Sequence, residues 1–75
     1  MKDSTYLNGE QFARLLSLPV SPWLASGLEA ARAHLKANPG SAIIRYMNDG
    51  VLQFAVCPES ALARVTGRTA AAGVA

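Results

Sequence analysis

His34 and Cys57 are the only residues of their kind in the 75-residue chain. Nucleophilic catalysis needs such a group beside a base that a third residue orients. The five carboxylates, Asp3, Glu10, Glu29, Asp49 and Glu59, are spread along the sequence, and no two share one helix face. Acid–base chemistry by paired carboxylates therefore has no local motif. A zinc site takes three or four ligands, and no Cys/His pair stands at finger spacing. No glycine-rich phosphate loop follows a strand; each glycine has a cap, packing, turn or tail role. The expectation is no catalytic residue, no metal, no cofactor and no enzyme. Cys57 beside Phe54-Ala55-Val56 reads as a small buried hydrophobe. A lone cysteine also means the domain folds without an internal disulfide.

What remains is binding chemistry. The seven cations, Lys2, Arg14, Arg32, Lys36, Arg45, Arg64 and Arg68, stand singly, and the net charge is only +2. A nucleic-acid binder of this size carries a dense basic stripe. Protein interfaces instead favour aromatics, Met and Arg over Lys and Glu. Tyr6, Arg45, Met47 and Gln53 fit that preference as contact residues, with Arg14, Arg32 and Lys36 steering towards an acidic surface. Trp23 reads as core, because so small a domain needs a large aromatic inside.

These residues need a scaffold, and the chain is long enough for one small domain. The expected domain spans residues 1–67, with 68–75 a disordered tail. Hydrophobic residues make up 51%, but fourteen of them are alanine, so the large core residues are few. Met1 to Thr5 is polar and expected to be loose. Asn8 followed by Gln11 has capping-box spacing and predicts a helix from Gly9 to about Ser17, with Phe12, Leu15 and Leu16 on one face. Pro19 breaks it. Ser21-Pro22 reads as an N-cap with proline at the first helical position, so a second helix is predicted from Pro22 to about Ala37. Leu24, Leu28, Ala31 and Leu35 form its stripe.

Ala42–Met47 and Val51–Val56 predict a β-hairpin around Asn48-Asp49-Gly50. A two-residue Asp49-Gly50 turn pairs Arg45 with Phe54. A three-residue loop pairs Tyr46 with Leu52, Ile44 with Phe54 and Ala42 with Val56. The second register gathers the bulky apolar residues on one face and is preferred for that reason. It leaves Ile43, Met47 and Val51 on an outer face that is apolar for solvent. Pro58-Glu59-Ser60 starts a short last helix, with Leu62 and Val65 inward and Gly67 as terminator. The fold class is α+β: a helix-turn-helix-like helix pair, a β-hairpin and a short C-terminal helix in a single domain.

The run Phe12-Ala13-Arg14-Leu15-Leu16-Ser17-Leu18 resembles the first helix and turn of excisionase-like and MerR-like winged regulators. Ala13 sits at the small packing position, Leu16 and Leu18 at core positions, and Ser17 at the usual turn glycine. The resemblance departs where the reading helix should begin. Pro22 to Glu29 carries no cation and one anion, whereas base readout wants Arg, Lys, Asn or Gln there. A small helix-turn-helix-like chain without a reading helix resembles phage-encoded regulators that grip host RNA polymerase. That resemblance implies a protein partner, the host polymerase, with initiation blocked and termination also affected. The alternative is an excisionase-like winged-helix DNA-binding protein. A third reading is a dimeric structural or antitoxin-like module with the outer hairpin face as its seam. The first reading expects a monomer or weak dimer. No apolar run reaches the ~18 residues of a membrane span, and the N-terminus has no signal-peptide core. The expected location is the cytoplasm, that of the host for a phage protein.

Overall fold

The computed structural model describes residues 4–67. The chain order is β1 (Ser4–Leu7), α1 (Gly9–Leu16), β2 (Trp23–Ala25), α2 (Leu28–Ala37), β3 (Ser41–Asn48), β4 (Val51–Pro58) and α3 (Glu59–Thr66). The α+β class holds, as does the order of two helices, a hairpin and a C-terminal helix. The four strands form one sheet in the order β1-β3-β4-β2. β1 runs parallel to β3, and β4 runs antiparallel to both β3 and β2. The expected tail at 68–75 lies outside the described residues.

Local chemistry explains the helices the sequence predicts. The Asn8 side chain accepts from the Gln11 backbone N–H at 2.8 Å, and the Gln11 side chain accepts from the Asn8 N–H at 3.0 Å. This reciprocal pair satisfies two orphan donors of α1. Ala61 and Val65 of α3 are buried and Leu62 packs beside them. Gly67 closes α3 in the left-handed region, with φ of 76°, where a side chain would be strained.

The hairpin takes the two-residue turn, not the preferred three-residue loop. Arg45 lies opposite Phe54, and Asn48 opposite Val51. Asp49 and Gly50 have φ of 54° and 78°, the signature of a type I′ turn whose twist matches the strands. The three-residue register assumed that one face is buried, but both are. Ile44, Tyr46, Ala55 and Cys57 face α1 and α3, packed with Leu7, Leu15, Ala61 and Val65. Ile43 and Val56 face α2, with Ala31 between Leu28 and Leu35. Ile43, expected on the solvent side, is therefore in the core.

The second helix is shorter than predicted. α2 starts at Leu28 with Gly27 as its N-cap, and Trp23–Ala25 forms an edge strand on β4 instead. Ser26 and Gly27 are weak helix formers, and the outer edge of β4 needs backbone partners. The predicted cap at Ser21-Pro22 does not start a helix. The opening of the chain also differs: Ser4–Leu7, expected to be loose as far as Thr5, pairs with β3 as β1. α1 and α2 consequently lie on opposite faces of the sheet and touch nowhere among the described residues. They do not pack as the expected helix-turn-helix pair, because β2 intervenes.

The β1–α1–β2 and β2–α2–β3 crossovers join parallel strands, travel in opposite directions across the sheet and use opposite faces. Both crossovers thus have the same hand, as strand twist demands.

Gly50→Ala forces a side chain into the left-handed region at the turn. The expected result is a loss of roughly 1 kcal/mol or more, read from the midpoint of urea unfolding followed by circular dichroism.

Candidate functional site

α1 crosses the sheet face without covering it. Phe12 lies flat on Tyr46, with ring centroids 4.0 Å apart and planes 12° from parallel. Such contact adds to the area both rings bury. Tyr46 is anchored at its other end: its hydroxyl donates to the Gln53 Oε1 at 3.4 Å, and Asn48 Nδ2 donates to the same oxygen at 3.2 Å. Beside this pair opens a groove of about 280 Å³, lined by Phe12, Leu16, Leu24, Tyr46, Met47, Asn48 and Gln53. Its rim is Leu16 on α1, 54% exposed, and Leu24 on β2, 65% exposed. Two neighbouring leucines left in water mark an interaction surface more than a lone one does.

Of the residues the sequence nominates, Gln53 and Met47 line this groove. Tyr6 and Arg45 come together on the opposite sheet face, where the Arg45 Cζ lies 6.0 Å from the Tyr6 ring centroid. Arg14 is exposed on α1, while Arg32 and Lys36 are exposed on α2 across the sheet. The cations nominated for steering are therefore divided between two faces.

Phe12, Leu16, Leu24, Tyr46 and Asn48 were not nominated. The helical spacing predicts Leu16 in the core with Phe12 and Leu15, but only Leu15 is fully buried. Leu24 was placed in the stripe of a helix, yet in β2 it alternates away from Trp23 and Ala25. Trp23, expected in the core, is 41% exposed and stacks on His34 at 4.1 Å and 4°. This stack ties β2 to α2.

Among the described residues no group of three or more His, Cys, Asp or Glu stands close enough to hold a metal ion. Cys57 is 2% exposed. Burial pushes its thiol up from 9.0 to about 11, because the apolar surroundings penalise the thiolate. Among the described residues no helix is long and apolar enough to cross a membrane. No family model, curated protein or solved structure matches the chain.

The cysteine carries a pH signature. Between pH 9 and about 11 the unfolded chain releases the Cys57 proton while the folded chain keeps it. The unfolded state then binds fewer protons, so stability falls as pH rises. The Cys57 contribution is whole below pH 9 and lost on passing through about 11. Urea midpoints across this range should fall more steeply for the wild type than for Cys57→Ala.

Proposed function

We propose that this domain is a non-enzymatic regulator that acts by gripping another protein through the groove between α1 and β2. One observation carries the reading: Leu16 and Leu24 stand more than half exposed on either side of the stacked Phe12–Tyr46 pair. In the floor Tyr46 is buried and its hydroxyl donates to Gln53. An aromatic floor with aliphatic rims suits an apolar anchor from a partner. Asn48 and Gln53 add polar groups at one end that fix its orientation.

The partner class follows from the sequence resemblance to phage-encoded transcription regulators. On that reading the partner is host RNA polymerase, met in the host cytoplasm. The mechanism is steric: the domain occupies a surface needed for initiation and favours one polymerase state by differential affinity. Effects on termination belong to the same proposal. The winged-helix DNA alternative draws no support from Trp23–Ala25, a strand where a reading helix would enter the major groove.

The test is affinity capture with the tagged full chain from nuclease-treated bacterial lysate. Recovery of polymerase subunits is the expected result. Leu24→Asp should weaken capture at least about tenfold, since burying one leucine is worth more than that. Its thermal unfolding should stay close to wild type because Leu24 is exposed. Capture of no polymerase, together with tight site-selective binding to duplex DNA, would overturn the proposal.

A further inference from the structure

The described residues cover the sheet face that carries α2 only in part. α2 touches β2, β3 and β4 but not β1. By register, Ser4 and Tyr6 of β1 and Ile43 and Arg45 of β3 belong to this face. Ile43 lies under the helix, whereas Tyr6 is 45% exposed. Tyr6 and Arg45 thus floor a trough running beside α2.

The wall of the trough follows from helix geometry. Leu28, Ala31 and Leu35 form the buried stripe of α2. His34 stacks on Trp23, so its flank of the helix faces β2. Arg32 lies about 160° round from His34 at 3.6 residues per turn, which puts it on the flank facing β1. Lys36 follows it one turn on, and both are exposed. The chain reverses at Pro39-Gly40. Arg32 stands ~12 Å before Gly40 along the helix and Arg45 ~16 Å after it along the strand. The two are therefore within about one helical turn of the same level.

Arg45 is already positioned. Its Nη1 donates to the Ser4 carbonyl oxygen at 2.8 Å and to the Ser4 Oγ at 2.7 Å, and its planar group leans over the Tyr6 ring. These bonds use one nitrogen of a five-donor fork, leaving donors for a carboxylate. A side chain held in advance loses little entropy on binding. Among the described residues this side carries Lys36 and Arg45 besides Arg32, with Glu29 at the N-terminal end of α2 and Asp49 away at the hairpin tip.

The geometry points to this trough as a docking site for an acidic polypeptide segment of a partner protein. One carboxylate of the segment sits on Arg45, and Lys36 draws the next acidic residue. A single-stranded nucleic acid fits less well, because successive bases need successive stacking rings and the trough offers one, already beside Arg45. The trough and the α1–β2 groove lie on opposite faces, so either one stands or falls without the other.

Two fluorescein-labelled probes of equal charge test the inference against the full chain by anisotropy: a peptide alternating Glu with Val, and oligothymidylate. The peptide should bind saturably and weaken as salt rises. Arg45→Gln should weaken it about tenfold, and Lys36→Gln about threefold, the scale of one partly exposed ion pair. Lys36 is exposed on a helix surface, so its variant keeps the test valid even where Arg45→Gln loosens β1. Leu24→Asp, in the groove, should bind the peptide as the wild type does. Failure of the wild type to bind the peptide at low salt, unchanged affinity in Lys36→Gln, tighter binding of oligothymidylate, or loss of peptide binding in Leu24→Asp would each overturn the inference.

Discussion

A turn of two residues governs the molecule. Asp49 and Gly50 both adopt positive φ, and the resulting turn decides which side of the sheet each residue of β3 and β4 occupies. A slip of one residue in the pairing would change every cross-strand partner. In the register formed, Ile44 and Ala55 point one way while Ile43 and Val56 point the other. Neither side then tolerates water, and the chain must place helices on both.

It does so with few residues. One crossover carries α1 over one face, the next carries α2 over the other, and α3 returns beside α1. Among the described residues, three short helices do not cover both faces of four strands. α2 stops short of β1, and α1 leaves Leu16 and Leu24 in water. The open areas are thus consequences of topology in a small chain. Their chemistry is nevertheless unlike: one is aliphatic over stacked rings, the other cationic over a single tyrosine.

The elements that could be read from the sequence are those whose causes are local. Asn8 and Gln11 announce α1 because a capping box involves only residues three apart. Gly67 ends α3 for a similarly local reason. The existence of the hairpin was legible as well, with both registers in view. The choice between them was not, because it turned on whether a helix covers the second face. β1 and β2 left weaker traces. Four residues and three residues are too short for a period to show, and both strands exist through pairing with distant β3 and β4. The site suffered in proportion. Composition nominates Tyr6, Arg45, Met47 and Gln53 as contact types and places Leu16 and Leu24 in the interior, whereas both leucines are exposed.

The amino-acid order alone settled composition, charge, the capped helix, the terminal helix and the presence of a hairpin, all of which depend on neighbours within a few residues. Tertiary structure decided the register, the fate of Trp23–Ala25 and which leucines meet water. Backbone groups at the open edge of β4 were satisfied by a strand rather than left to solvent, and that pairing displaced the first turns of a helix that local signals had favoured. The partner of each such segment lies tens of residues away, where no pattern of near neighbours can reveal it.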